Sequence, residues 1–187
     1  MVGNWGTGEL MMTIEELRYP TGKWVKVPNP DAATREALIA AVAGVPSALA
    51  IALTGLTEAQ LDTPYRPGGW SPRQIVHHLA DSHMNAFIRL KLGITETNPT
   101  IKPYEEQTWA ETPDSRDAPI ACSMSIIEGL HARWAQLLRS LDASAFDRTI
   151  QHPERGPMSL GDLLGLYAWH GNHHTVQILK MRERMGW

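Results

Sequence analysis

"SPRQIVHHLADSHMNAFIRLKLG", residues 71–93, combines a complete helix start with a long apolar stripe. Ser71 stands where an N-cap hydroxyl belongs, Pro72 takes the first helical position, and Gln74 sits at N3 to close a capping box. Behind that start Ile75, Val76, Leu79, Ala86, Phe87 and Leu90 recur at helical spacing and so share one face. The stretch predicts an amphipathic helix that stops near Gly93.

Upstream, "DAATREALIAAVAGVPSALAIALTGL" from Asp31 is rich in Ala and Leu and predicts a first long helix, with a kink or break marked by Gly44 and Pro46. "LTEAQLDTPYRPGGW" follows as a short helical turn, where Thr57 and Gln60 are spaced as a capping box, and then a Pro/Gly loop. Downstream, residues 95–118 form a long connection with one short helix around "EEQTWAE", and loops of that length are often functional. A third long helix is expected from Pro119 to Leu141. "RTIQ" and "GPMS" flank "HPER" as a small hairpin. The last helix starts at Ser159, with Asp162 three residues on, and runs to about Arg184. Four long helices with so few strand candidates predict an all-α chain, an antiparallel four-helix bundle with a long loop and a small hairpin. Residues 1–30, with many Gly and Pro, read as an N-terminal arm, and residues 31–187 as the bundle domain.

The 187 residues suffice for one domain with a real core. Charged residues make up 20% of the chain, the formal net charge is −3, and no dense Lys/Arg stripe occurs, which removes nucleic acid as an expected partner. No uninterrupted apolar run is long enough for a bilayer, and "MVGNWGTGELMMT" lacks the pattern of a signal segment, so a cytoplasmic protein away from membranes is expected. The single cysteine, Cys122, cannot form an internal disulfide and reads as buried filler in a reducing compartment.

Six of the eight histidines fall in two helical clusters. In the last helix Leu160, Leu163, Leu164, Tyr167, Ile178, Met181 and Met185 mark the inward stripe. His174 lies near its middle, His170 on its flank, and His173 well to the side. An i, i+4 pair of imidazoles can grip one metal ion, as in H-E-x-x-H. Gly171 stands where that motif keeps its glutamate, which disfavours a zinc protease and leaves room for a ligand. The second cluster offers His77, His78 and His83 as a third ligand. Phase alone makes His83 the buried one, a satisfied core histidine in its plainest reading, and leaves the choice open. His131 reads as a surface or boundary residue, and His152, in the hairpin turn, as solvent-facing.

"RYPTGKW" (18–24), "LDTPYRPGGWSPRQIVHHLADSHMNAFIRLKL" (61–92), "IKPYEEQTWAE" (101–111) and "AWHGNHHTVQI" (168–178) together resemble the DinB superfamily, and within it the YfiT-like branch described as metal-dependent hydrolases. The resemblance runs from about Leu17 to the end. In that pattern the ligand histidine stands eight residues after a tryptophan and just before a leucine, which from Trp70 is His78, with Leu79 following. The C-terminal pair corresponds to His170 and His174. The resemblance thus implies a site of His78, His170 and His174, with His77 as the competing assignment. It further implies one zinc or nickel ion per chain and a homodimer. The activity it implies is either transfer of a low-molecular-weight thiol of the bacillithiol type to a small electrophile, our leading expectation, or hydrolysis.

Three neutral imidazoles leave zinc its full charge and an open position, so that a water or a thiol there becomes a nucleophile at neutral pH. Glu105 and Glu106, in the long loop, are candidates for a helper base, although carboxylates also suit a helix N-terminus. Asp81 could orient a ligand imidazole. Arg66 with the backbone of Gly68 and Gly69 could hold an anion, and Trp70 and Trp169 could line a pocket. A metal-stabilised scaffold without catalysis is the remaining alternative.

Overall fold

The helix starts form as the capping pattern requires. Thr57, Ser71 and Ser159 each accept the N–H of the residue three further on, and Gln60, Gln74 and Asp162 return a bond to the cap N–H. The computed structural model describes residues 12–27 and 30–187. The first part of the supposed signal-free segment, residues 1–11, lies outside them, as do residues 28 and 29. The described chain runs α1 (Ile14–Arg18), α2 (Ala32–Leu53), α3 (Glu58–Leu61), α4 (Pro72–Thr95), α5 (Glu106–Trp109), α6 (Pro113–Asp117) and α7 (Ile120–Arg139). A 3-10 turn (Ala143–Asp147), the strands β1 (Thr149–His152) and β2 (Gly156–Ser159), and α8 (Leu160–Met185) complete it. The strands pair antiparallel, Thr149 opposite Ser159, as the expected hairpin.

The long helices α2, α4, α7 and α8 form the bundle. Each of α2 and α4 packs against both α7 and α8, which puts the chain neighbours α2 and α4 on one diagonal and α7 and α8 on the other. Cross-contacts give the directions. Glu36 with Arg139 and Val42 with His131 make α2 and α7 antiparallel, and His78 with His174 and Arg89 with Tyr167 do so for α4 and α8. The other two seams run side by side in one direction: His77 with Ser123 and His83 with His131 for α4 and α7, Val45 with Gly171 and Ala52 with Arg182 for α2 and α8. Because α4 and α7 point the same way, the chain must travel back along the bundle between them. Residues 96–119 do this, with α5 and α6 packed on α4, which explains why that connection is long.

The core has two apolar clusters, one containing Leu90, Trp134, Leu138 and Leu164, the other Leu49, Leu79, Ile127 and Ile178. Each fully buried Leu or Ile side chain contributes about 1.5–3 kcal/mol. Between the clusters lies a polar layer of buried histidines, His78, His83, His131 and His174. The apolar layers offset the cost of that layer.

Three expectations are corrected by packing. The first helix is continuous through Pro46 rather than broken. Proline has no N–H, so the carbonyl of Val42 one turn earlier loses its helical partner, and the side chain of His131 takes that place. Gly171 does not leave space for a ligand: a Cβ there would lie 2.4 Å from Val45 Cγ2 and 3.4 Å from His83 Cε1, so this glycine lets α8 approach α2. Cys122 is exposed rather than buried, in the first turn of α7. Among the described residues α2 is the one helix long and apolar enough to cross a bilayer, and its inward stripe, Ile39, Val42, Val45 and Leu49, is built into the bundle core.

Candidate metal centre

His78 on α4 and His170 and His174 on α8 meet in the polar layer, and each offers one ring nitrogen, all within 4.8 Å of one another. Among the described residues theirs is the one such cluster. The Nε2 atoms of His78 and His170 are 3.2 Å apart. Two nitrogens bound tetrahedrally at zinc's usual 2.0–2.1 Å would stand about 3.3 Å apart. Burial and the mutual repulsion of the rings push all three pKa values well below the ordinary histidine range, so these imidazoles are neutral, as metal ligands must be.

A neutral imidazole has one N–H, and its neighbours here determine which nitrogen carries it. A carbonyl can only accept, so His131 donates from Nδ1 to Val42 O at 2.5 Å. Its Nε2 then accepts from His83 Nδ1–H at 2.7 Å. His83 in turn accepts at Nε2 from His170 Nδ1–H at 3.1 Å, and His170 is left with its Nε2 lone pair facing His78. Burial also lowers the pKa of His83 and His131, which keeps the chain of rings neutral. The carbonyl that Pro46 frees therefore sets a tautomer three rings away.

His174 is set by a separate route. Gln177 donates from Nε2 to the carbonyl of Arg18 at 2.8 Å and to Tyr65 Oη at 3.0 Å. That orients its Oε1 toward His174, which donates from Nδ1 at 2.8 Å and keeps the lone pair on Nε2. Partners of this kind fix the orientation and basicity of ligand imidazoles. Nothing in the sequence pattern marked Gln177, although it stands one turn after His173. His131 could have been found: with Ile127, Trp134 and Leu138 it occupies the inward stripe of α7, and it is 1% exposed rather than a boundary residue.

The remaining histidines do other work. His77 ties α4 to α7 through Ser123 Oγ at 2.7 Å and to the end of α6 through Ala118 O at 3.1 Å. His173, expected well to the side, is buried beneath the N-terminal arm, stacked on Trp169 and bonded to Thr21 Oγ1 at 3.2 Å. Burial lowers its pKa to about 4. His152, expected in solvent, lines the cavity described next. The arm is clamped over this end of the bundle by Lys26 with Asp162 and by Trp169 Nε1 with Gly22 O.

The three imidazoles open into a cavity of about 410 Å³ lined also by Trp70, Tyr104, Trp169, Arg66, Gly68 and Gly69. Trp70 packs on His78, ring centroids 4.5 Å apart. Trp70 Nε1–H and Tyr104 Oη are buried without a partner among the described residues, and both belong to this cavity wall. Buried polar atoms left unpaired cost free energy and call for a ligand or water. Arg66 is turned to Tyr65 Oη and Pro67 O. Glu106 lines the cavity, and desolvation there raises its pKa, whereas its neighbour Glu105 does not line it; both are exposed at the surface. Asp81 has no side-chain bond to an imidazole. Its carboxyl, pushed up to about 6 by burial and by Asp114, lies apart from the cavity.

A family model described as the DinB superfamily matches residues 41–178. A relative from Bacillus mycoides named "Putative metal-dependent hydrolase" is 48% identical over 93% of this chain and 100% of its own length. One of the same description from Geobacillus kaustophilus is 49% identical over 95% of this chain and 100% of its own. Among solved structures, YfiT from Bacillus subtilis, described as a probable metal-dependent hydrolase with an unusual four-helix bundle topology, superposes with a TM-score of 0.90 at 43% identity, covering 92% of this chain and 99% of that one. TT2238, a four-helix bundle protein, matches at 17% identity with a TM-score of 0.54 over 79% of this chain and 99% of its own; that likeness concerns the fold alone.

Proposed function

The chain belongs to the DinB superfamily, and from that premise we propose that it is a metal-dependent enzyme whose His78, His170 and His174 hold one divalent ion, zinc or nickel, and which transfers a low-molecular-weight thiol to a small electrophile. One observation carries the reading: three neutral imidazoles converge, and the Nδ1 protons of two of them, His174 and His170, are drawn away by Gln177 and by the His83–His131 relay. When bound, such an ion makes a water or a thiol nucleophilic at neutral pH.

The chain's own residues supply the rest. Trp70 walls the His78 side and, with Tyr104, offers unpaired polar atoms to a ligand. A purely structural zinc is normally closed by four protein ligands, whereas these three histidines face a cavity, which supports catalysis over a scaffold. The only carboxylates on the cavity wall among the described residues are Glu106 and Glu154. Desolvation raises the pKa of Glu106 against the opposing pull of Arg155 and Arg89, and among the described residues neither carboxylate is hydrogen-bonded to the three imidazoles. Hydrolysis gains from a general base beside the metal-activated water, whereas a thiol, with an ordinary pKa of about 8.5, ionises more readily without one. This favours thiol transfer, while the names of the relatives carry hydrolysis as the second reading. A homodimer in the reducing cytoplasm completes the proposal, in keeping with the exposed free thiol of Cys122.

The test is to load the protein with zinc and follow chloride release from 1-chloro-2,4-dinitrobenzene and hydrolysis of 4-nitrophenyl acetate, each with and without 2-mercaptoethanol. Chloride release that needs both metal and thiol supports transfer. Metal-dependent ester hydrolysis unaffected by thiol would replace it with the hydrolase reading.

A further inference from the structure

Arg89 is a buried cation that shares the cavity wall with Glu106 but makes no salt bridge to it. It is 8% exposed, and no carboxylate of a described residue lies within salt-bridge reach of it. Its Nη1 donates to Tyr167 Oη at 3.2 Å, its Nη2 to Lys102 O at 3.0 Å, and its Nε is buried with no partner. A guanidinium has five N–H donors, so donors remain unused on a charge whose unpaired burial is costly. Arg89 stands eleven residues after His78 on α4, a rotation of about 20° beyond three full turns. Both therefore look into the same cavity from the same helix face, and both line it. Arg155 and His152 line it too, and burial, with the two arginines adding to it, holds down the pKa of His152. Around the whole cavity Arg18, Arg66, Arg89 and Arg155 stand against Glu106 and Glu154, four positive charges to two negative, in a chain whose formal net charge is −3.

We infer that the cavity binds an elongated substrate whose far end is an anion of the carboxylate type, received by Arg89 with Arg155 at the rim, while its reacting end lies at the three histidines. The inference rests on the metal reading and adds the substrate class. Eleven helical residues rise about 16 Å, and an arginine leaning toward the helix N-terminus shortens the span to about 10 Å. The path between passes Tyr167, whose ring centroid is 5.7 Å from that of His170 and whose Oη meets Arg89. Charge-assisted bonds from Arg to a carboxylate are about twice as strong as neutral ones and can be bidentate.

The test uses the full chain loaded with cobalt, uptake being read from its visible absorption before any ligand is added. Titration calorimetry then compares 8-mercaptooctanoate with 8-mercaptooctanol, and 3-mercaptopropionate with 3-mercaptopropanol. The long acid should bind about tenfold more tightly than its alcohol, whereas the short pair, unable to span the cavity, should differ by less than about threefold. Arg89→Met should bring the long pair to within about twofold. Arg155→Ala, at an exposed position that does not threaten the fold, should reduce the preference in part. Equal affinities of the long acid and alcohol in the cobalt-loaded wild type, or a preference that survives Arg89→Met, would overturn the inference and leave the metal reading standing. Absence of cobalt uptake would overturn both.

Discussion

Replacing His131 by leucine tests the tautomer relay at the ring farthest from the candidate metal. The substitution leaves two buried groups without partners, the Val42 carbonyl and His83 Nδ1–H, at about 1–3 kcal/mol each, so folding stability should drop by about 2–6 kcal/mol. His83 can relieve part of this by moving its proton to Nε2. That proton would then point at His170 Nδ1, and His170 would have to carry its own proton on Nε2, the nitrogen that faces His78. Metal binding must displace that arrangement, so zinc affinity should fall about 10–100-fold, as for loss of other outer partners of metal ligands, or about 1.4–2.7 kcal/mol. His131→Gln presents one amide donor to Val42 and one oxygen to His83, and should keep zinc affinity within about threefold of wild type. Competition with a chromophoric chelator measures the affinities, and thermal melts followed by circular dichroism show how much of each variant is folded. Wild-type zinc affinity in folded His131→Leu would refute the relay, and so would equal losses in the leucine and glutamine variants.

Gly171→Ala should destabilise by about 1–3 kcal/mol, since its Cβ would sit 2.4 Å from Val45 Cγ2; a denaturant midpoint unchanged from wild type would show that α2 and α8 need no such close approach. Asp81→Asn should stabilise the protein at pH 8. The Asp81 carboxyl is raised from 3.8 to about 6, so the folded state prefers it protonated, and its charged form costs stability that grows as pH rises through that window. Two pKa units correspond to at most about 3 kcal/mol, and with the group only partly buried about 1 kcal/mol is expected after solvent screening. The gain should vanish near pH 4, and an equal gain at both pH values would assign it to another cause.

The four long helices were legible because local chemistry and burial agreed: capping boxes at Thr57, Ser71 and Ser159 each precede an apolar stripe. The order of packing was not legible. Which helices touch depends on contacts such as Val45 with Gly171, remote in sequence, and periodicity reports only which face is inward. The antiparallel expectation accordingly describes two of the four seams. At the site, phase placed His174 in the interior and rightly made His83 the most buried of its cluster, but burial does not distinguish a ligand from its supporting partner. Both His78 and His83 are inside, and only the direction of each ring separates them. His131 differs from the boundary residue expected because Ile127 and Trp134 continue its stripe inward, and Pro46, expected to mark a kink or break, is the source of a free carbonyl at Val42.

The central claim is tested most directly by the metal content of the purified, reconstituted protein, measured by elemental mass spectrometry in wild type and His78→Ala. The account predicts about one zinc or nickel per chain in the wild type and its loss in the variant, with the helical circular dichroism retained. Stoichiometric metal in folded His78→Ala, or none in the reconstituted wild type, would contradict it.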